Sequence, residues 1–124
     1  MSTKSTRQIG NEGEELAVSY LQTKGYTILD RNYFFERAEV DIVAYDESCI
    51  VFVEVKRRAT IAFGKPEEFV TLSKMENLYK VAEAWLYERK MEGVPARFDV
   101  IAITQENHEA PDIKHFENAF DRRG

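Results

Sequence analysis

Cysteine, long apolar runs and basic charge are all scarce in this sequence, and each shortage excludes a class of protein. The chain has 124 residues and only 1 cysteine. That residue, Cys49, cannot form an internal disulfide, so a disulfide-stapled secreted domain is excluded and a reducing environment is expected. No histidine stands near Cys49 at the spacing of a known motif, so we also reject thiol catalysis.

No stretch of the sequence approaches the ~20 apolar residues that a membrane-spanning helix needs. The N-terminus, "MSTKSTRQIG", also lacks the apolar segment of a signal peptide. The composition is globular, with 44% hydrophobic and 31% charged residues and no internal repeat. We therefore expect one cytoplasmic domain over residues 1–124 that has no membrane partner.

Basic residues are outnumbered, and the formal net charge of −5 argues weakly against a nucleic-acid partner. The distribution along the chain softens that argument. Residues 1–54 carry 5 basic and 10 acidic side chains, whereas residues 55–91 carry 8 basic and 5 acidic. Such an excess is more often a solvated face than a binding surface, so it permits nucleic-acid binding without indicating it.

What is present is the periodicity of an α/β domain. Apolar residues at helical spacing predict a helix over residues 6–24, and Ser73 and Glu76 predict a capping box at the start of a second helix. Period-two patterns and turn residues predict five strands, at residues 25–35, 39–45, 50–57, 97–104 and 112–116. A strand–helix–strand crossover forces some parallel pairing, so the order predicts a mixed sheet with helices on both faces.

The second and third predicted strands place charge inside an apolar run, "EVDIVAYDESCIVFVEVKRR". Side chains alternate across a strand, so the purely apolar sets of the two strands must share the core face. These sets are Val40, Ile42 and Ala44 in one strand and Val51, Val53 and Val55 in the other. A four-residue loop, "DESC", then predicts the cross-strand pairs Tyr45–Ile50, Val43–Phe52, Asp41–Glu54 and Glu39–Lys56.

The pairing of Asp41 with Glu54 places two carboxylates side by side, about 4.5–5.5 Å apart at Cβ. Lys56 balances only part of this charge, whereas a divalent cation would resolve the repulsion. Hard oxygen ligands without a His or Cys cluster favour Mg²⁺ or Mn²⁺ over zinc. The alternative is a salt-bridge ladder among these residues and Glu39, although the apolar neighbours of Glu54 favour a functional role.

The predicted first helix supplies a further carboxylate. Glu14 lies at the border of the apolar stripe, where it reaches either solvent or a site at the sheet edge. Gly10 and Gly13 lie just before it and would allow the close approach of another backbone or a ligand.

The order "GNEGEELAVSYLQTKGYTILDRNY", "AEVDIVA", "FVEVKRR" and "FGKPEEFVTLSK" resembles the YraN-type family of small bacterial proteins. That family is placed in the restriction-endonuclease-like nuclease superfamily, alongside archaeal Holliday junction resolvases. The resemblance covers roughly residues 7–104 and implies a three-layer α/β/α fold with a mixed central sheet. Two departures are Ala38, where relatives usually have glycine, and Val40, where the superfamily motif has proline.

The resemblance implies that Asp41, Glu54 and Glu14 are metal ligands and that Lys56 completes the catalytic set. The carboxylates would hold one or two Mg²⁺ ions, which bind the scissile phosphate and acidify a water. Lys56 would orient that water or stabilise the charge of the transition state. Four further basic residues are candidates for binding the neighbouring DNA phosphates. For each of them, an ordinary solvated surface charge is an equally good interpretation. They are Arg57, Arg58, Lys65 and Lys74.

Two functions remain open at this point. The intact carboxylate–lysine set favours a metal-dependent endonuclease acting on DNA, including branched or damaged DNA. The acidic net charge favours a non-catalytic nucleic-acid-binding or adaptor module that serves a DNA-processing protein complex. Resolvase-like members often dimerise, so a homodimer is compatible with either function. We expect His108 and His115 at the surface. The sequence assigns no role to Asp99, and it leaves Glu39 either as a partner of Lys56 or as a minor metal ligand.

Overall fold

The computed structural model describes residues 6–47, 49–58, 71–104 and 110–119, without the side chains of residues 6–11 and 58. It contains two helices, α1 (Thr6–Thr23) and α2 (Leu72–Glu88). Its strands are β1 (Thr27–Phe35), β2 (Ala38–Asp46), β3 (Cys49–Arg58), β4 (Ala96–Thr104) and β5 (Asp112–Phe116). Each predicted element is therefore confirmed, with bounds within two residues of those expected from the sequence.

The five strands form one sheet in the order β1-β2-β3-β4-β5. Only the β3–β4 pair is parallel, and the other three pairs are antiparallel. The chain segment between β3 and β4 contains α2, which is the crossover that a parallel pair requires. The sheet is mixed, as predicted.

Two apolar clusters hold one helix against each face of the sheet. On the first face, Ala17, Val18 and Leu21 of α1 pack on sheet residues that are all buried: Ile42, Ala44, Val51, Val53, Ile101 and Ile103. On the second face, Leu78, Val81, Ala82 and Trp85 of α2 pack on Val40, Val43, Ile50 and Phe52. The fold is therefore a three-layer α/β/α arrangement in which burial of aliphatic side chains on both faces supplies the main stabilisation.

The helix α2 begins differently from the prediction. Its N-cap is Thr71, whose hydroxyl accepts a hydrogen bond from the Lys74 backbone N–H at 3.1 Å. Ser73 is already inside the first turn, so the predicted capping box with Glu76 is wrong. Threonine caps a helix by the same chemistry as serine, and an N-cap two residues earlier places Lys74 in the first turn.

The predicted face of Val40 is also wrong. Val40 packs beside α2 with Val43, whereas Ile42 lies against α1. Opposite this point in β1, Asn32 adopts a left-handed backbone with φ of 51°. Asn32 stands between the residues that pair with Ile42 and Val40, so the strands turn here and the alternation of β2 is interrupted at Asp41.

Neither helix in the described part of the chain has the length and apolar character needed to cross a membrane.

Candidate metal centre

The pairing of β2 with β3 follows the predicted register and stops just before the predicted carboxylate pair. Val43 pairs with Phe52, and the last paired residues are Ile42 and Val53. Beyond them, the Val55 backbone N–H donates a hydrogen bond to the Asp41 side chain, at 2.8 Å from Oδ2. The pairs expected for Asp41 with Glu54 and for Glu39 with Lys56 therefore lie past the end of the ladder. A side chain closes the gap between the two strands.

Three carboxylates meet at this end of the sheet. Burial, followed by the charge of Glu54, raises the pKa of Asp41 to about 7, against the opposing effects of the Val55 N–H and Lys74. Burial, followed by the charge of Asp41, raises the pKa of Glu14. Asp41 thus interacts with both other carboxylates, one from α1 and one from β3. The structure brings together the three acidic residues that the sequence singled out.

Glu54 is the most enclosed of the three, with 5% of its surface exposed. Its Oε1 lies 3.3 Å from the ammonium of Lys74, which reaches down from the first turn of α2. Its Oε2 is buried and has no hydrogen-bond partner in the part of the chain that the structure describes. A buried carboxylate oxygen without a donor is costly, so this atom is available to a cation.

Asn32 is a residue of this site that sequence reasoning missed. With its amide oriented so that both amide atoms find partners, Asn32 donates to Glu14 Oε1 at 2.8 Å and to Glu39 Oε2 at 3.2 Å. It therefore fixes two carboxylates at once. The only signal in the sequence is that asparagine tolerates a left-handed backbone better than most residues, which is the conformation it adopts here.

The predicted basic residues have different positions. Lys56 is half-buried and follows Glu54 by two residues in β3, so the alternation of the strand directs both to the same face. Arg57 forms an ion pair with Glu12 of α1 at 3.6 Å. Its Cδ lies 3.5 Å from where a Cβ on Gly13 would stand, so the close approach at Gly13 serves an arginine stem. Lys65 and the side chain of Arg58 lie outside the described residues.

A second cluster of polar groups lies on the α1 face of the sheet, around Asp99. Asp99 and His115 are almost fully buried, with side-chain exposures of 0% and 3%, and His115 Nε2 is 2.7 Å from Asp99 Oδ2. The prediction that His115 lies at the surface is therefore wrong. Asp99 and His115 join Glu117 in a group whose ligand atoms all lie within 4.8 Å of one another, so it is a possible metal-binding cluster.

The guanidinium of Arg97 already neutralises the acidic residues of this second cluster. Arg97 donates to Asp99 Oδ1 at 3.0 Å from Nε, and its terminal nitrogen lies 3.3 Å from both Asp99 Oδ2 and Glu117 Oε1. Burial alone would raise the pKa of Asp99, but hydrogen bonds from His115, Arg97 and the Asn118 amide outweigh it and lower the pKa. The charges here are matched, unlike those around Asp41.

The two clusters therefore differ in what they still need. The pKa values of Asp41 and Glu14 are raised, and Glu54 has a buried oxygen without a partner among the described residues, which together mark a site short of positive charge. Oxygen ligands from a helix and two strands suit a hard divalent cation such as Mg²⁺ or Mn²⁺. The residues present fit such an ion.

Comparison with known proteins gives one consistent family. The profile described as "Uncharacterised protein family UPF0102" matches residues 13–103. A UPF0102 protein of Geobacter sulfurreducens is 49% identical over 113 residues, which cover 91% of this chain and 88% of the relative. One from Thermodesulfovibrio yellowstonii is 47% identical over 113 residues, or 91% and 96% of the two chains. The profile match includes Glu14, Asp41 and Glu54 and ends before His115.

Proposed function

This chain belongs to the UPF0102 family, and we propose that it is a metal-dependent nuclease that hydrolyses phosphodiester bonds in DNA. The observation that carries the proposal is the buried Oε2 of Glu54, which has no partner among the described residues, beside the raised pKa of Asp41. Such a site is electrostatically incomplete. A divalent cation completes it, and a phosphodiester is the substrate class for which that cation is most useful.

The chain's own residues divide the work as follows. Asp41, Glu54 and Glu14 hold the cation, and Asn32 keeps Glu14 in place through its 2.8 Å hydrogen bond. A bound Mg²⁺ supplies Lewis acidity toward the phosphate and lowers the pKa of a water. Lys56, on the same face as Glu54, stabilises the negative charge that develops on the phosphate oxygens.

One further buried atom supports an anionic substrate. In the described part of the chain, Arg31 Nε is a buried donor without an acceptor, although the guanidinium also pairs with Glu15 at 2.6 Å. The positive charge of Arg31 is close enough to act on Glu14 and oppose the rise of its pKa. A phosphate beside the carboxylates would give this donor its acceptor.

The test is a cleavage assay on linear, single-stranded and four-way branched DNA with Mg²⁺ or Mn²⁺. We expect the wild type to nick at least one of these substrates and Glu54→Gln to lose the activity, since the amide keeps the shape but not the charge. Glu47→Gln is the matched control, because Glu47 lies in an exposed turn. A wild type that binds no metal and cleaves none of the panel would refute the proposal.

The second candidate is a non-catalytic nucleic-acid-binding or adaptor module. The net charge of −5 favours it, because acidic proteins attract DNA weakly. On this account the carboxylates are a structural ladder, and removing one would destabilise the fold without any activity to lose. DNA binding that persists in EDTA, together with a destabilised Glu54→Gln, would support this candidate.

A further inference from the structure

Lys74 lies where a lysine does not help its helix. Lys74 is the third residue of α2, three positions after the N-cap Thr71. No acidic side chain lies in this first turn. The helix dipole places partial positive charge at this end, so a lysine there is unfavourable for the helix itself. Its position therefore calls for another explanation.

The explanation is the contact that its ammonium makes. Lys74 Nζ lies 3.3 Å from Glu54 Oε1, and the two side chains are 41% and 6% exposed. The charge of Lys74 also reaches Asp41. The buried carboxylate of Glu54 and its half-buried neighbour Asp41 are thus neutralised in part by a long, flexible side chain that enters from solvent. Such a side chain can leave without disturbing the core.

We propose that the Lys74 ammonium is a displaceable cation, which holds the metal-free site together and is expelled when a divalent cation binds Glu54 and Asp41. The two cations compete because they would occupy the two oxygens of one carboxylate, Lys74 at Oε1 and the metal at Oε2, where their positive charges repel each other. Once released, Lys74 is free to bind a phosphate of the DNA next to the site. This inference rests on the proposed metal-dependent function and adds to it a cation of the protein that occupies the site until the metal binds.

Calorimetric titration with MnCl₂ near pH 8, above the raised pKa of Asp41, tests the competition. Lys74→Met keeps the apolar stem and removes the charge, so we expect it to bind Mn²⁺ about threefold or more tightly than the wild type. Lys74→Arg keeps a cation in place and should bind no more tightly than the wild type. Lys80→Met is the matched control, because Lys80 is exposed on the same helix, and its affinity should not change.

A second readout follows the lysine itself. In protein labelled with ¹³C at lysine Cε, the Lys74 resonance is assigned by its absence from the Lys74→Met spectrum. We expect it to shift on addition of Mg²⁺ and to saturate together with the Val55 amide, while the Lys80 resonance stays in place. Metal-free Lys74→Met should also melt below the wild type and recover when Mn²⁺ is added.

The outcomes separate the two claims. If the wild type binds Mn²⁺ and Lys74→Met binds equally or more weakly, the displacement is refuted and the metal site stands. A Lys74 resonance that does not move at saturating Mg²⁺ refutes it as well. If neither protein binds Mn²⁺, the metal site and the displacement fall together. If only Lys74→Met binds, the competition is established in its strongest form.

Discussion

Asp41 Oδ2 accepts a hydrogen bond from the backbone N–H of Val55, with an N–O distance of 2.8 Å, at the point where β2 and β3 cease to pair. The carboxylate that the proposal assigns to the metal is therefore also the group that ends the strand ladder. A hydrogen bond from a peptide N–H favours the ionised form of Asp41, whereas burial and Glu54 favour the protonated form. Both protonation states of Asp41 consequently matter for the fold.

The stability of the metal-free protein should fall as the pH rises from about 4 to about 7. The pKa of Asp41 is raised from 3.8 to about 7 in the folded chain, so in this window the folded state binds more protons than the unfolded state. Stability then decreases with pH, and Glu14 adds to the effect because its pKa is raised too. Urea unfolding in EDTA should give a free energy about 2 kcal/mol higher near pH 5 than near pH 8. Equal values at both pH values would contradict this prediction.

Asp41→Asn should leave the metal-free fold intact or make it more stable by about 1 kcal/mol near pH 8. The asparagine oxygen still accepts the Val55 N–H, and its NH₂ group can donate to Glu54 in place of a repelling carboxylate. Mn²⁺ affinity should fall about tenfold or more, because one charged ligand is lost. The pH dependence described above should flatten in the same variant. A loss of more than about 2 kcal/mol would instead support the structural salt-bridge ladder.

Mn²⁺ should broaden backbone amide signals around Asp41 and Val55 before any others in the described part of the chain. Glu14 belongs to the same group, since its carboxylate interacts with that of Asp41. The comparison is with His115 and Asn118, which belong to the second cluster. If the broadening centres on these two residues, the metal prefers the second cluster and the proposed centre is wrong.

Lys56→Ala should separate activity from structure. We expect a normal melting temperature and undiminished Mg²⁺ binding, because the three carboxylates remain and lose a competing cation. Cleavage should fall by about a hundredfold or more, as for the loss of one electrostatic contact to the transition state. Lys114→Ala on the exposed face of β5 is the control. A destabilised Lys56→Ala with no cleavage by the wild type would favour the non-catalytic module.

Asp99→Asn should be costly for stability and neutral for the metal. The substitution leaves Arg97 and His115 without their buried anion, so the free energy of unfolding should drop by about 3 kcal/mol. Glu117→Gln, at an exposed position, should cost less. The Mn²⁺ affinity measured at low temperature should be unchanged in both. A loss of affinity in Asp99→Asn would show that the Asp99 cluster is the one that binds metal.

Local patterns in the sequence predicted the order of elements and the hairpin register, because both depend on residues close together in the chain. The pairing of Tyr45 with Ile50 is confirmed, but the four-residue loop is wrong: Asp46 also pairs with Cys49, so only two residues connect the strands and the register stays the same. The face of Val40 was not predictable in this way. The alternation of β2 is interrupted at Asp41, opposite the left-handed backbone of Asn32 in the neighbouring strand, and the pattern within β2 alone does not reveal this.

The partners of the buried charges were the least predictable feature. The sequence suggested Lys56 as the cation near the carboxylates, whereas Glu54 contacts Lys74, twenty residues further along the chain and on another element. His115 seemed a surface residue because its partner Asp99 lies on a different strand. Charge pairs between distant elements depend on packing geometry, and neither periodicity nor spacing encodes that geometry.

The strand order also sets the sequence of events when this chain folds. Strands β2 and β3 each pair with the strand made just before, so short loops close and we expect these two hairpins to form quickly. The parallel pairing of β4 with β3 requires closure of the long loop between Arg58 and Ala96, which costs more conformational entropy than closing a hairpin. Because α2 lies in that segment, the slow step is also the one that delivers Lys74 to Glu54. We therefore expect the nascent sheet to carry its carboxylate repulsion until α2 packs against it.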